Sequence, residues 1–519
     1  MKAGLEKEFF MKIAFFSTHV MWVRPHFETE LELMQRHMDN KDTIYHFICN
    51  GELKFCDFLL LPYLTQGEKG INKMKLCMTC IKRRKSGMKL LTDKVMSYPM
   101  LSTDIKQNIN PITSFSDINQ LKDYKIGNYD IGMSVLSSLI SMSRNREPDI
   151  KVHSQIIKDY IYSSCFLYFS AINFIETYNL DKIYIFNGRV AHSRALVRAA
   201  QYKNIDFIVH ERGYGKDKFA LYENSTPFDV EYVLKYIKDL WDEETDQEKK
   251  REIGKSYFIE KVNLSEQVWL SYIKEQKYGL LPENWDETKR NIIIFNSSED
   301  EYVAAGGEWE NPIYYSELEG IKEICFDKRL DFDNIRIYVR IHPNLKDVNN
   351  QYLHELYNLK SKNLTIIPPD SQISSYSLLQ NCEKVLSFGS TVGIEAVFWG
   401  KPSILVGTMY YKDLGGTYNT NNHKEVIDLI LARLEPKDKE PALMYGYFMK
   451  TFGIPYKYYE AKDFFNGAFK GHIIEHSFSS FYKKIYDIIP YNEYLCKYLL
   501  AIPQELFNKY MDIKYYKKK

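Results

Sequence analysis

Between Lys384 and Pro402 the chain reads Lys-Val-Leu-Ser-Phe-Gly-Ser-Thr-Val-Gly-Ile-Glu-Ala-Val-Phe-Trp-Gly-Lys-Pro, a pattern suited to holding a phosphate. A strand ending at Ser387 is followed by Gly389, which lets the backbone turn tightly. Ser390 or Thr391 then falls at the N-cap of a short helix. Free backbone N–H groups, the two hydroxyls and the helix dipole would together favour an anion there. Gly400 stops the helix and Pro402 prevents its continuation. Glu395 lies about one turn in, within reach of a ribose. An ordinary capped helix accounts for Gly400 and Pro402, but not for Gly389, Ser390, Thr391 and Glu395 together.

A second motif is Ile335-Arg-Ile-Tyr-Val-Arg-Ile-His-Pro343. Its odd positions are aliphatic, while Arg336, Tyr338, Arg340 and His342 share the opposite face of a strand. His342 falls at the carboxyl end, where parallel sheets bind ligands. With Arg340 it suits a phosphate or a leaving nucleotide, as a charge or a proton donor. A third is the strand Asn291 to Phe295 and the loop Asn296-Ser-Ser-Glu-Asp-Glu301 after it. Ser297 there suits a phosphate or a sugar, and Glu299 suits hydroxyls; a solvated loop is the competing reading.

In the first half, Phe186-Asn-Gly-Arg189 and His210-Glu-Arg-Gly-Tyr-Gly215 each follow an expected strand. Asn187, Arg189 and Arg212 are candidates for acceptor binding. Glu211 is the candidate general base, because a strand-end carboxylate in a closed cleft can be tuned; its competitor is an ion pair with Arg189 or Arg212. Cys77-x-x-Cys80 has metal-ligand spacing, and Cys49 and Cys56 could complete a four-sulfur structural zinc site. Free or packed thiols are the other reading. Cys165, Cys325, Cys382 and Cys496 read as core. Gly389-Ser-Thr-Val-Gly393 mimics a nucleophile elbow but lacks an acid–His partner order, and Asp331-Phe-Asp333 precedes a strand; neither is pursued.

The elements that must position these residues alternate as strand and helix. Lys12 to Ser17, Thr43 to Cys49, Lys182 to Phe186 and Phe207 to His210 read as strands of a first sheet, with helices over about Pro25 to Met38, Val152 to Tyr178 and Ala191 to Tyr202. Val230 to Leu264 reads as a charged, solvated helical zone. Strands at Asn291, Ile335, Leu364, Lys384 and Ser403 then alternate with helices as a second doubly wound sheet. The domain reading is 1–275, a linker at 276–290, 291–423, and an aromatic helical region 424–519 packing back on both domains. The chain has 519 residues, more than one core usually organises, with 69 basic against 68 acidic side chains. That balance argues against a nucleic-acid partner. No apolar run reaches the roughly 18 residues of a membrane span, the start carries no signal peptide, and eight cysteines are too few for a disulfide scaffold. A cytoplasmic protein with at most peripheral membrane contact is expected.

The second half resembles the capsule polysaccharide biosynthesis glycosyltransferases, the group that includes bacterial Kdo transferases. The matching residues are His342-Pro343, Ser387 to Glu395, and Gly400-Lys401-Pro402. The resemblance implies a GT-B fold: two Rossmann-like α/β domains facing a cleft, the donor nucleotide on the C-terminal one and the acceptor on the N-terminal one. It implies donor-phosphate contacts from His342, Ser390 and Thr391, and a ribose contact from Glu395. Related enzymes carry a second glutamate eight positions earlier; here that position is Ser387. The expected activity is sugar transfer, metal-independent, from a nucleotide sugar (CMP-linked favoured, Kdo-like) to a surface polysaccharide or glycolipid. CDP-glycerol-type phosphotransfer and a non-catalytic glycan- or nucleotide-sugar-binding scaffold are the alternatives.

Overall fold

The computed structural model describes residues 10–22, 24–60, 73–102, 110–262, 276–330, 333–346, 348 and 350–474. Cys496 and the basic tail Lys514 to Lys519 lie outside the described residues, as does the expected helical region beyond 474. The chain divides into two compact units.

The first unit comprises Met1–Val135, Asp149–His210 and Tyr456–Lys519. Its strands are β1 (Lys12–Ser17), β2 (Thr43–Ile48), β3 (Ser97–Pro99), β4 (Lys182–Phe186) and β5 (Asp206–Arg212), in the order β5-β4-β1-β2-β3. The last two residues of β5 group with the second unit. The pairings β1–β2, β1–β4, β2–β3 and β4–β5 are parallel. Ile13 to Phe16 is fully buried, as a strand covered on both faces must be. The helices His26–Asp39, Ser154–Tyr178 and Ala191–Lys203 follow the expected pattern. After residue 455 the chain returns to this unit. The buried carboxylate of Glu32, on the helix His26–Asp39, accepts the backbone N–H groups of Lys457 (2.8 Å), Tyr458 (2.7 Å) and Tyr459 (3.2 Å). An antiparallel hairpin, Tyr459–Ala461 with Gly467–Phe469, follows.

The second unit comprises Leu136–Pro148 and Glu211–Pro455. In it β6 (Lys218–Glu223) pairs antiparallel with Ile454–Pro455. Its main sheet holds β7 (Arg290–Phe295), β8 (Ile335–Arg340), β9 (Leu364–Ile367), β10 (Lys384–Ser387), β11 (Ser403–Leu405) and β12 (Tyr418–Asn419), all parallel, in the order β12-β11-β10-β7-β8-β9. Counted from β7, this is the order 3-2-1-4-5-6 of a Rossmann-like sheet, and the first unit shows 3-2-1-4-5. Two Rossmann-like α/β units, the composition of the GT-B class, are therefore present. One face of the second sheet is covered by a cluster containing Ile292, Ile294, Ile337 and Val339, the other by Ile293, Phe295, Tyr338 and Val385.

The zone Val230 to Leu264 is two helices, Val230–Glu243 and Gln247–Val262, both grouped with the second unit. It is not merely a solvated face. Lys250, Gly254, Tyr257 and Phe258 are buried, a stripe at helical spacing. Gln247–Val262 crosses the helix Glu440–Thr451 in backbone contact. A Cβ on Gly254 would stand 2.4 Å from the Leu443 carbonyl oxygen, and one on Gly446 would stand 2.3 Å from that of Gly254.

Candidate functional site

An open parallel sheet binds ligands beyond the carboxyl ends of its strands, where the strand order reverses. In the second unit that point lies between β7 and β10, with β8 beside β7. Three loops meet there: Asn296–Ser298, the turn at His342, and Phe388–Thr391.

His342 is placed by the end of β8. Its backbone N–H is donated to Asn296 Oδ1 (2.7 Å), and its Nδ1 accepts the N–H of Asn344 (3.2 Å), capping the turn Pro343–Leu345. With Nδ1 accepting, the ring proton sits on Nε2. Burial, then the charges of Arg144, Arg340 and Lys261, lower its pKa to about 4. At neutral pH the ring therefore offers a hydrogen bond rather than a positive charge.

Arg340 is buried, and its guanidinium donates to the carbonyls of Pro368 and Ser371, bracing that turn. The loop after β7 is a start to the helix Glu299–Ala305, with Asp300 buried in it. Ser297 gives both its N–H (3.2 Å) and its hydroxyl to Glu317. Burial, then the neighbouring Glu299, pushes the Glu317 carboxyl well above the usual range. Two arginines hold this loop: Arg146 pairs with Glu299, while Arg144 donates to Ser298 Oγ (3.2 Å) and lies 2.6 Å from Asp300. Burial raises Asp300 to about 6, against the pull of Arg144.

After β10, Ser387 Oγ accepts the N–H groups of Gly389 (3.3 Å) and Ser390 (2.9 Å) and donates to the Ser390 carbonyl (3.1 Å). Gly389 has φ of +127°, the conformation that its lack of a side chain permits. Thr391 occupies the N-cap position, but no side-chain capping bond comes from it; Ser390 Oγ takes the Val392 N–H (3.3 Å) instead. Thr391 gives its hydroxyl to Glu395 Oε1 (2.9 Å). Glu395 also receives Lys261 Nζ at Oε1 (2.7 Å) and the Tyr376 hydroxyl at Oε2 (2.6 Å). Burial drives the Glu395 pKa up, but Lys261 and these hydrogen bonds outweigh it and hold the pKa below the ordinary value. The carboxylate expected on a ribose is thus engaged by three side chains of its own unit.

The structure therefore gathers His342, Ser297, Gly389, Ser390, Thr391 and Glu395 at one sheet edge, and turns Arg340 inward. The first-half candidates are divided. Asn187 and Arg189 belong to the first unit, where Asn187 donates its N–H to the His210 carbonyl (3.2 Å) and accepts the Arg189 N–H (3.3 Å). Glu211 and Arg212 belong to the second, with Glu211 accepting the Arg212 N–H (3.0 Å). Cys49, Cys56, Cys77 and Cys80 form no disulfide, and the other three are near enough to be felt at Cys56, where burial pushes the thiol up. Among the described residues, however, no three His, Cys, Asp or Glu side chains are arranged to hold a metal ion. Cys165, Cys325 and Cys382 are buried as expected.

Sequence reasoning missed Arg144, Arg146, Lys261, Glu317 and Tyr376. Of these, Lys261 extends the buried stripe of its helix, seven residues after Gly254, a spacing that the preceding charge run masks. It also missed a polar cluster at the end of β1, where Ser17 donates to Glu30 Oε1 (2.5 Å) and lies 2.6 Å from His46 Nε2. His46 must then donate from Nε2, and it accepts the Ser97 hydroxyl at Nδ1 (3.1 Å). His19 Nε2 is 3.1 Å from Glu30 Oε2.

Residues 272–459 match the model of a family described as capsule polysaccharide biosynthesis protein. Over this stretch, about a third of its length, the chain is similar to that family. The matched capsule-biosynthesis stretch contains His342 and the Ser387–Glu395 loop, whereas Arg144, Arg146 and Lys261 precede it. Among solved structures, the beta Kdo 2,4 transferase KpsC of Thermosulfurimonas dismutans is 12% identical, covering 51% of this chain and 79% of that one, with a TM-score of 0.34. The beta Kdo 2,7 transferase KpsC of the same organism is 14% identical, covering 54% and 79%, with a TM-score of 0.33. The glycosyltransferase SnogD of Streptomyces nogalater is 10% identical, covering 85% and 95%, with a TM-score of 0.24. At these scores the likenesses carry no argument. A comparison with curated proteins gave no match. Among the described residues no helix is long and apolar enough to cross a membrane.

Proposed function

We propose that this glycosyltransferase moves a sugar from a nucleotide donor, held at the carboxyl edge of the second unit's sheet, to a surface polysaccharide or glycolipid acceptor. The observation that carries the reading is the convergence of the loops after β7, β8 and β10 at the reversal of strand order, with His342 held by Asn296 and Lys261 standing at the turn after β10. Such a place suits an anion, and in sugar transfer the developing negative charge sits on the departing nucleotide phosphate. Fixed donors and cations aimed at that phosphate lower the barrier because they need no reorganisation during the reaction. Protein cations supply the charge, so transfer is proposed to need no divalent ion. The resemblance to Kdo transferases makes a CMP-sugar the first donor to try, and a nucleotide donor places the reaction in the cytoplasm. We assign the acceptor to the first unit, through Asn187 and Arg189, and keep Glu211 as the candidate base.

The test is a thermal-shift panel of CMP, CDP, UDP, GDP and ADP, with and without magnesium, followed by turnover with the sugar of whichever nucleotide stabilises. One nucleotide should raise the melting temperature by a few degrees at about a hundredfold excess over its dissociation constant. Stabilisation by none of the five would overturn the reading.

A further inference from the structure

Lys261 enters the donor loop from a helix outside the family-matched residues, and nothing in the capsule-biosynthesis pattern accounts for it. Its ammonium and the Thr391 hydroxyl share one oxygen, Glu395 Oε1, at 2.7 and 2.9 Å. Lys261 therefore stands directly at the turn after β10, and its charge also reaches His342 after β8. The carboxylate beneath it is sealed, at 4% exposure, while the lysine side chain is 20% exposed. An ammonium carries three donors, and Glu395 takes one.

Thr391, by contrast, has spent its only proton on Glu395, so it can accept a hydrogen bond but not give one to an anion. Arg144 is committed to Ser298 and Asp300. Stability alone is a poor reason for such an arrangement, since a buried ion pair seldom exceeds the stability of well-packed apolar side chains. Positioning is a better one. Glu395 is fixed on its other oxygen by Tyr376, and the lysine lies over the Tyr257 ring at 4.8 Å, so the long side chain is held at one place before any ligand arrives.

We propose that Lys261 is a catalytic residue that binds the phosphate of the nucleotide donor and meets its charge as it departs, and that Glu395 is the residue that positions it. This rests on the glycosyl-transfer reading given above. In the step, the acceptor oxygen bonds to the anomeric carbon as the bond from that carbon to the phosphate oxygen breaks. The electron pair leaves on the nucleotide, whose added negative charge Lys261 faces, and the acceptor's proton passes to the candidate base Glu211 and from it to water.

The experiment compares wild type, Lys261→Met, Lys261→Arg and Glu395→Gln by titration calorimetry with CMP and UDP and with the nucleosides cytidine and uridine, alongside donor turnover. Lys261→Met should weaken nucleotide binding about tenfold or more and leave nucleoside binding unchanged, a separation that a merely structural role would not give. Its kcat should fall about 10²–10³-fold, with Lys261→Arg recovering part of it. Glu395→Gln should lower kcat with little change in nucleoside affinity. Should the variants not fold, acetylation of wild type with acetic anhydride provides the same reading: nucleotide should protect Lys261 and nucleoside should not. A folded Lys261→Met that binds nucleotide and turns over as wild type overturns the assignment of Lys261 alone, as does wild-type Lys261 left unprotected by a nucleotide that binds. Wild type that binds none of CMP, CDP, UDP, GDP and ADP overturns the transfer reading and Lys261 with it.

Discussion

Replacing Gly254 by alanine should damage chemistry more than stability. The new methyl group would lie 2.4 Å from the Leu443 carbonyl oxygen and 3.1–3.2 Å from the Leu443 carbonyl carbon and Cα. All three are backbone atoms of a helix and cannot swing away. Relief requires the helices Gln247–Val262 and Glu440–Thr451 to part by about 1 Å, an overpacking cost of about 1–3 kcal/mol. For a unit of this size that corresponds to a melting temperature lower by about 2–12 °C. Lys261 lies seven residues further along the same face, about 10 Å down the axis. A shift of that size stretches its 2.7 Å bond to Glu395 beyond hydrogen-bonding range. Misplacement by about 1 Å can cost about 10²-fold in rate. The assay is kcat at saturating donor, read beside a thermal unfolding curve, with Lys255→Ala on the exposed face of the same helix as the unchanged control. A Gly254→Ala protein that melts early yet keeps full turnover refutes the link between helix position and the reaction. One that matches wild type in both refutes the packing argument itself.

Lys384 is fully buried, with its ammonium donating to the carbonyls of Leu429 (3.0 Å), Ile430 (3.0 Å) and Ala432 (2.5 Å) at the end of the helix His423–Leu431. Lys384→Met should leave those carbonyls short of donors and cost about 2–4 kcal/mol, visible as an earlier denaturant midpoint; an unchanged midpoint would contradict it. The buried histidines should also withdraw stability in mild acid. Burial holds His19, His46, His210 and His342 below 6.5, His342 at about 4 and His210 at about 3. The folded chain thus binds fewer protons than the unfolded one in this range, and the stabilisation is complete above pH 6.5 and lost as pH falls towards those values. Between pH 6.5 and 5 each such histidine withdraws about 2 kcal/mol. Glu30, raised to about 7 by burial, acts with the opposite sign, its contribution being greatest below 4.5 and lost as pH rises through 7. Asp300, raised to about 6, and Glu317, pushed up by burial, share that sign, so the histidine contribution is read as a difference: between pH 6.5 and 5 the urea midpoint of His210→Asn should fall less than that of wild type, and parallel profiles would refute the argument.

The strands of both sheets were readable because a strand covered on two faces must be a short apolar run, as Ile292 to Phe295 is. The turn Ser387 to Glu395 was readable because glycine, hydroxyl and carboxylate at those spacings have few other uses. What the carboxylate holds was not. That partner comes from a helix more than a hundred residues earlier, hidden behind the charge run Asp242 to Arg251, which local periodicity reads as a solvated face. Arg144 and Arg146 were invisible for a related reason: Leu136–Pro148 is a short excursion whose unit is decided by tertiary contacts, not by its own pattern. Arg340 shows the converse error. Alternation placed it on the right face of the strand, but a parallel sheet has two buried faces, and the guanidinium found carbonyls there.

The return of residues 456–474 to Glu32 has a consequence for synthesis. The first unit is written in the gene as separate pieces, with all of 211–455 placed before its last one. On a ribosome the second unit is therefore complete while the first still lacks the strand-like segment that satisfies Glu32. A chain cut shortly after residue 455 leaves the wound sheet of His342 and Lys261 whole in sequence. Its injury appears at the amino-terminal end of the molecule, where a buried carboxylate has lost three amide donors.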